Sequence, residues 1–259
     1  ERVDNLNKQF EEYGVTIIPH IYKRFFEGYH TVIGPLVDKL NISTKGVITS
    51  HLKTIKEWYN ETNEPYLFVC EDDVSIATIK YWNFTWDEFI SNLPTDWECV
   101  KLVKLGTHIT EFKLKNWELS DWCSAAYVMK REYAKKLIDK CYPDDAFYLD
   151  TRDVLPITES VLFYGVGVVY SIPLFLEDFI NCPATYYEKD ESVNNYYRNV
   201  HYNSYHEVLT WWQEQGKNLT VQEILTEKKF EWGEMVASAA HIGGEVFVQK
   251  IYERYHSVQ

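Results

Sequence analysis

The chain has 259 residues, of which 46% are hydrophobic and 25% are charged, and it carries a formal net charge of −13 at pH 7. These proportions are ordinary for a globular protein, and the length fits one α/β domain or two small ones. The negative charge argues against a nucleic acid or an anionic membrane surface as partner, because both interactions depend on Lys and Arg. The same charge is also compatible with a role in solubility alone.

The cysteines indicate reduced thiols rather than a disulfide framework or a zinc site, because their number is odd and no Cys-x-x-Cys spacing occurs. Reduced thiols favour a cytoplasmic protein, whereas four Asn-x-Ser/Thr sequons leave the lumen of the secretory pathway as the alternative. We expect neither a membrane-spanning segment nor a signal peptide, because no sufficiently long apolar run is present. The cysteines are Cys70, Cys99, Cys123, Cys141 and Cys182, and the sequons begin at Asn41, Asn60, Asn83 and Asn218.

Helical and strand patterns alternate from the start of the chain. Residues 1–13 predict a helix that ends at Gly14, and residues 15–18 predict a short strand. Residues 45–59 predict a helix with apolar side chains on one face. Residues 66–70 form a short apolar run between turn residues, which is typical of a strand buried on both faces.

This alternation continues to about residue 180 and predicts an α/β fold with a largely parallel sheet flanked by helices. We find no linker and expect a single domain of residues 1–259, with an α/β core to about residue 180 and a helical C-terminal portion from about residue 181. The further helices are expected at residues 86–93, 131–140 and 156–164, and the further strands at residues 98–105, 122–129 and 166–172.

The last third of the chain contains the signals of helix starts. Ser204 with Glu207, and Thr220 with Glu223, each match the capping-box pattern in which a hydroxyl side chain is followed three residues later by an acid. Residues 234–255 predict one more helix. These signals are the basis for expecting a helical C-terminal portion.

Three consecutive acids, Glu71, Asp72 and Asp73, follow the apolar run of residues 66–70. Ligands of open α/β sheets bind at the carboxyl ends of the strands, and three adjacent carboxylates repel one another unless a cation is present. Mg²⁺ and Mn²⁺ prefer oxygen ligands and commonly bind one or two carboxylates together with substrate phosphates. The triplet therefore predicts a site for a divalent metal and a phosphate-bearing substrate, and its alternative is a solvated acidic turn.

Four segments in the first two thirds of the chain carry further motifs in a fixed order. Residues 46–51 have the pattern Gly-x-x-x-Ser-His, and residues 71–74 read Glu-Asp-Asp-Val. Residues 93–98 match a Leu-Pro-x-x-Trp-acid segment, and residues 122–138 approximate a Gly-Thr-x-Ala-Tyr strand followed by an Ala-x-x-Leu helix. Together, these segments resemble the lipopolysaccharide-type glycosyltransferases of family 25.

The resemblance implies a GT-A fold, a nucleotide-sugar donor, a divalent metal (Mn²⁺ or Mg²⁺) and inversion at the sugar carbon. The resemblance implies that Asp73 is the metal ligand, and that Glu71 and Asp72 contact the ribose or the donor sugar. An inverting transfer needs a base that takes the proton of the acceptor hydroxyl. Where the family has an Asp in a Pro-x-Asp segment, this sequence has Glu159, and Asp153 is its competitor.

The resemblance also bears on the substrates. Related enzymes of large viruses include xylosyltransferases. The expected donor is a UDP-sugar such as UDP-xylose or UDP-galactose, and the expected acceptor is a glycan or glycoprotein. The family's first strand and its Arg-rich turn, which help to hold the nucleotide, have no match in this sequence. Ser124 stands in place of the family's Gly-Thr pair.

A serine and two histidines complete the set of candidate site residues. Ser50 and His51, within the helix expected at residues 45–59, are candidates for contact with the donor; the alternative for His51 is a hydrogen bond to neighbouring backbone. His201 falls in an aromatic-rich segment, residues 196–206, that we expect to be a loop. Many GT-A enzymes use a late histidine as a further metal ligand, and the alternative for His201 is a surface histidine.

Two other classes of function compete with the glycosyltransferase. A metal-dependent hydrolase or nucleotidyltransferase could use the same acids, although it would usually need a second acidic or His cluster. A carbohydrate-binding protein of the same fold could have no catalytic activity, because a fold does not determine a function.

Overall fold

A computed structural model of the chain describes residues 2–20, 31–34, 40, 42–106, 109–149, 157–178 and 191–226. The described residues up to Leu225 belong to one compact unit with mixed α/β structure. Asp153 and the helix expected at residues 234–255 lie outside the described residues. The extent of the domain therefore stays a prediction.

The described residues contain seven α-helices, and the first four agree closely with the apolar periodicity of the sequence. The first helix is followed by Gly14, whose φ of 70° is one that glycine adopts without steric cost. The second helix is longer at both ends than expected. The helices are α1 Arg2–Glu11, α2 Ile42–Glu61, α3 Trp86–Asn92, α4 Arg131–Cys141, α5 Thr158–Phe163, α6 Glu191–Gln215 and α7 Val221–Leu225.

Four of the strands were predicted from the sequence, and three of these are shorter than the apolar runs that predicted them. The strands are β1 Thr31–Ile33, β2 Tyr66–Cys70, β3 Val74–Ser75, β4 Cys99–Lys101, β5 Lys115–Asn116, β6 Ala126–Lys130, β7 Ala146–Tyr148, β8 Val169–Ser171 and β9 Leu176–Glu177. Five of them form a central sheet in the order β2-β6-β4-β8-β5, and the others form two-stranded pairs, β1 with β7 and β3 with β9.

The central sheet is mixed, whereas a largely parallel sheet was expected, because β4 with β8 is its one parallel pair among the described strands. Strands β2, β4 and β8 run in one direction, and β5 and β6 run in the other. The carboxyl ends of β2, β4 and β8 and the amino end of β6 therefore meet at the same edge. Strand β2 is an edge strand of this sheet, and only Val69 in it is buried. The expectation that β2 is buried on both faces was therefore wrong.

Two local expectations were also wrong. Residues 15–18 are not a strand, because this segment is exposed and has no strand partner among the described residues. Ser204 and Glu207 do not cap a helix but lie inside α6. Their side chains bond to the chain that follows β4: the Ser204 hydroxyl donates to the Gly106 carbonyl at 3.0 Å, and Glu207 accepts from the Ile109 N–H at 2.6 Å.

The second predicted capping box is confirmed. The Thr220 N–H donates to the Glu223 carboxylate at 2.8 Å, and the Glu223 N–H donates to the Thr220 hydroxyl at 3.3 Å. These reciprocal bonds satisfy N–H groups that have no partner within the helix, and they fix the start of α7.

Two apolar clusters hold the unit together. One includes Leu52 of α2 and Leu137 of α4, and it packs α2 against α4 and α5. The other contains Trp82, Phe89 and Trp212, and it packs the end of α6 on the core. The fully buried Trp212 donates its indole N–H to the Pro173 carbonyl at 2.8 Å, and this bond ties α6 to the segment that leads into β9.

The four cysteines in the described residues, Cys70, Cys99, Cys123 and Cys141, are free thiols, as expected. Within the described part of the chain, no helix is both long and apolar enough to cross a bilayer.

We expect Trp212→Phe to lower the free energy of unfolding by about 2 kcal/mol, because it leaves the Pro173 carbonyl without its donor and creates a small void. Urea unfolding of the purified chain measures this change. The control is Trp211→Phe, because Trp211 is only partly buried and stacks on Phe112. Equal losses in the two variants would contradict a specific anchoring role of Trp212.

Candidate functional site

A cavity of about 520 Å³ opens where the carboxyl ends of the strands meet. Its volume falls in the range that small ligands occupy in proteins. The lining comes from the chain after β2, β4 and β8, from the chain before β6, and from α5 and α6. Its polar side chains include those of Glu71, Ser124, Glu159, Glu177 and His201, beside an apolar part that includes Leu105, Trp122, Tyr197 and Val200.

Glu71 is held by two side chains that the fold brings to it. His51 Nε2 lies 3.1 Å from Glu71 Oε1, and the Ser124 hydroxyl donates to the same oxygen at 3.0 Å. His51 is itself buried, and its Nδ1 lies 2.7 Å from the Tyr127 hydroxyl. Burial opposes ionisation of Glu71, but these hydrogen bonds outweigh it and lower the pKa of its carboxyl. Glu71 is therefore a fixed carboxylate in the cavity wall.

Asp73 lies in the turn between β2 and β3, and its carboxylate is poorly compensated. Among the described residues, no group hydrogen-bonds to its buried Oδ1 atom. Burial and then the charges of Glu177, Glu71 and Asp72 raise the pKa of Asp73 from 3.8 to about 8, against a smaller opposing effect of Arg2. Negative charge at Asp73 is thus costly unless a cation is present.

Glu177 brings a fourth carboxylate to the same place. It lies on β9, which pairs with β3 so that Glu177 faces Val74, the residue after Asp73. The Asp178 N–H donates to the Asp73 carbonyl at 2.5 Å and fixes this pairing. On the other side, His201 Nδ1 lies 3.0 Å from Glu177 Oε2, and both side chains are about nine-tenths buried. Strand pairing thus joins two acidic segments that are about 100 residues apart in the chain.

His201 is on a helix rather than in the loop expected at residues 196–206, because that whole segment belongs to α6. The aromatic residues there pack along the helix instead of forming an irregular loop, as in the contact between Tyr202 and His206. The helix presents His201 to the cavity, so the expectation of a surface histidine is excluded.

Glu159, in the first turn of α5, also lines the cavity. Its Oε1 accepts the backbone N–H of Cys123 at 2.6 Å. A carboxylate fixed in this way, on the side of the cavity formed by the entry to β6, has the chemistry of a general base. Asp153, its competitor, lies outside the described residues.

Four of the predicted site residues that the structure describes do not line the cavity, namely Ser50, His51, Asp72 and Asp73. The Ser50 hydroxyl donates to the Gly46 carbonyl of its own helix at 2.8 Å. Asp72 points towards solvent, and its Oδ1 lies 3.6 Å from Arg2 Nη1. The structure therefore brings together Glu71, Glu159 and His201 directly, with His51 behind Glu71 and Asp73 in the adjoining turn.

The side chains at and beside Asp73 are of the chemical types that bind a divalent cation. The buried Oδ1 of Asp73 has no partner in the described part of the chain, and the neighbouring carboxylate of Glu177 and the imidazole of His201 are ligand types that Mn²⁺ accepts. As placed in the described residues, no three His, Cys, Asp or Glu side chains form a ready-made metal-binding group. A cation held here would thus take further ligands from a bound substrate, as Mg²⁺ and Mn²⁺ usually do.

Glu177 was not predicted from the sequence. Its signal was present, because Leu174-Phe175-Leu176 is an apolar run that ends in the acids Glu177 and Asp178, the same pattern that drew attention to Glu71. The pairing of β3 with β9, which gives Glu177 its place, has no signature in the sequence of either strand.

Comparison with known proteins gave no match, either to a protein-family model or to the sequence of a curated protein.

The raised pKa of Asp73 predicts a specific pH dependence of stability. Between about pH 4 and pH 8 the folded chain holds a proton on Asp73 that the unfolded chain has lost, so this group costs stability as the pH rises. In EDTA, we expect Asp73→Asn to melt several degrees above wild type at pH 8, and at about the same temperature at pH 4. Thermal unfolding followed by circular dichroism measures the melting temperatures of the two proteins at each pH.

The control for this experiment is Asp139→Asn, which removes an exposed carboxylate paired with Lys135 on the surface of α4. This variant should follow the pH profile of wild type. If Asp73→Asn were less stable than wild type at pH 8, the carboxylate would be well compensated in the folded chain, which would contradict this description of the site.

Proposed function

We propose that the chain is a metal-dependent glycosyltransferase of the GT-A type that transfers a sugar from a nucleotide-sugar donor to a hydroxyl of a glycan or glycoprotein. The observation that carries the proposal is the meeting of Glu71, Glu159, Glu177 and His201 around one cavity at the carboxyl edge of the sheet, with Asp73 in the adjoining turn. Four of these five residues were predicted from the sequence, in three separate segments, and the fifth, Glu177, comes from a fourth segment.

The charge of the cavity supports this choice of substrate. Glu71, Glu159 and Glu177 supply carboxylates, and Asp73 adjoins them. A free diphosphate would be repelled here, whereas a diphosphate with a divalent cation would relieve the repulsion between the acids. A sugar offers hydroxyls that donate hydrogen bonds to carboxylates, and apolar faces that can stack on the rings of Trp122 and Tyr197. A nucleotide-sugar with a metal thus fits both halves of the cavity.

Each residue then has a chemical role. Asp73 would hold the metal, with His201 and Glu177 as neighbouring ligands, and when bound the metal would neutralise charge on the leaving diphosphate. Glu71, kept ionised by His51 and Ser124, would accept hydrogen bonds from hydroxyls of the donor. Glu159 would take the proton of the acceptor hydroxyl as that oxygen attacks the sugar carbon. Direct attack by the acceptor inverts the configuration of that carbon.

A donor panel tests the proposal. The purified chain is incubated with UDP- and GDP-sugars, UDP-xylose and UDP-galactose among them, in Mn²⁺ or in EDTA, and nucleotide release is measured. We expect release from one donor with Mn²⁺, its loss in EDTA, and a decrease of at least about 100-fold in Asp73→Ala, because an electrostatic contribution of this kind is worth several kcal/mol. Asp139→Asn is the control and should release nucleotide at the rate of wild type.

Other outcomes of the panel separate the alternatives. Release that is equal in EDTA and in Mn²⁺ would contradict the metal dependence. No release from any donor, together with binding of a free sugar, would indicate a carbohydrate-binding protein. Release of nucleotide that is never accompanied by transfer to any acceptor would indicate a nucleotide-sugar hydrolase.

The choice of base is tested separately. We expect Glu159→Gln to lower kcat for transfer by about 100-fold or more while KM for the donor changes little, because general-base catalysis contributes a factor of this size. Asp153→Asn is the comparison. A large loss of kcat in Asp153→Asn, with Glu159→Gln close to wild type, would assign the base to Asp153 instead.

A further inference from the structure

The entry to β6 contains a turn with unusual backbone geometry. Cys123 has a φ of 86°, and it is the one residue other than glycine with a positive φ in the part of the chain that the structure describes. A side chain with a Cβ rarely adopts this region. Such a conformation persists only where the surrounding structure fixes it, and it concentrates at functional sites.

The turn directs a backbone donor towards the cavity. The N–H of Cys123 points to Glu159, and its nitrogen lies 2.6 Å from Oε1 of that side chain. A short bond between an N–H and an ionised oxygen is stronger than a neutral hydrogen bond. The bond fixes the orientation of the Glu159 carboxylate, which comes from a different element, α5. The thiol contacts a different acid of the cavity: its Sγ donates to Glu177 Oε2 at 3.6 Å, and it accepts the Ala125 N–H at 3.4 Å.

A buried lysine fixes the peptides that precede the turn. Lys101, on the central strand β4, is completely buried, and its ammonium group donates to the carbonyl oxygens of Asp121 and Trp122. Burial lowers the pKa of Lys101 to about 8, against the opposing effects of the Cys123, Asp121 and Glu159 side chains. A polar group buried in this way is costly unless it is fully bonded, so the contacts of Lys101 indicate a specific structural task.

We propose that Lys101 and Cys123 are positioning residues for Glu159. Lys101 anchors the two carbonyls before the turn, and the left-handed backbone of Cys123 then presents its N–H to the Glu159 carboxylate. The consequence for catalysis rests on the proposed function, in which Glu159 takes the proton of the acceptor. The positioning itself is a property of the fold and can be measured without any substrate.

Two substitutions at the same position separate the backbone from the thiol. Cys123→Gly and Cys123→Val both remove sulfur, but glycine adopts a positive φ readily and the β-branched valine does not. We expect Cys123→Val to lower kcat at least about tenfold more than Cys123→Gly does, with a similar KM for the donor in both, because a small misplacement of a catalytic group is enough for such a loss. Lys101→Met should also lower kcat rather than raise KM.

Cys141→Val is the control for placing valine at a buried cysteine, because Cys141 lies in α4 within the other apolar cluster. It should keep the kcat of wild type. Equal losses in Cys123→Gly and Cys123→Val would assign the effect to the thiol and overturn the proposal. Normal kcat in both variants would overturn it as well.

A second readout needs no activity. In ¹⁵N-labelled protein, the amide proton of Cys123 should shift upfield when Glu159→Gln replaces the carboxylate acceptor with a neutral amide. When Glu159→Gln is introduced into the Cys123→Gly variant, the amide at position 123 should shift in the same way. In the Cys123→Val variant, it should not shift. An amide that does not respond to Glu159→Gln in the wild-type background would overturn the positioning. If the donor panel shows no transferase activity but the amide responds, the proposed function fails and the positioning stands.

Discussion

Repulsion between partly buried carboxylates is the constraint on which this site depends. Glu71, Asp73 and Glu177 come close together where the strands end, and the charges of Glu177 and Glu71 help to raise the pKa of Asp73 to about 8. Like charges placed this close destabilise the folded chain unless something compensates them. Glu71 accepts hydrogen bonds from its neighbours His51 and Ser124, and Glu177 accepts one from the Cys123 thiol and lies 3.0 Å from the His201 imidazole. Among the described residues, no group bonds to the buried Oδ1 of Asp73, so its charge is relieved by a proton or by a cation.

The fold maintains this arrangement through contacts outside the central sheet. The short pairing of β3 with β9 places Glu177 beside the turn that carries Asp73. Helix α6 supplies His201, and Ser204 and Trp212 further along the same helix bond to Gly106 and Pro173. The helix is therefore tied to the chain after β4 and to the chain before β9. A domain built in this way can hold carboxylates in a strained cluster because distant, well-packed contacts stabilise it.

Much of the site was predictable from sequence, but its assembly was not. The apolar run of residues 66–70 and the acids after it are a local pattern, so their place at the end of a strand could be predicted. His201 was identified as a candidate, yet its segment was expected to be a loop, because hydrophobic periodicity in α6 is weak among so many aromatic and polar residues. Ser204 and Glu207 match the pattern of a capping box, but the prediction of a helix start there was wrong. Their side chains bond instead to Gly106 and Ile109, about 100 residues away. Tertiary partners of this kind leave no local signal, and neither does the pairing that brings in Glu177.

The proposed function requires the acidic cavity to bind a nucleoside diphosphate only together with a divalent cation. Calorimetric titration of UDP into the protein, once in Mn²⁺ and once in EDTA, measures this dependence. We expect heat of binding in Mn²⁺, none in EDTA, and none in Mn²⁺ for Asp73→Asn. Equal binding of UDP with and without the metal would contradict it, and so would the absence of binding under both conditions.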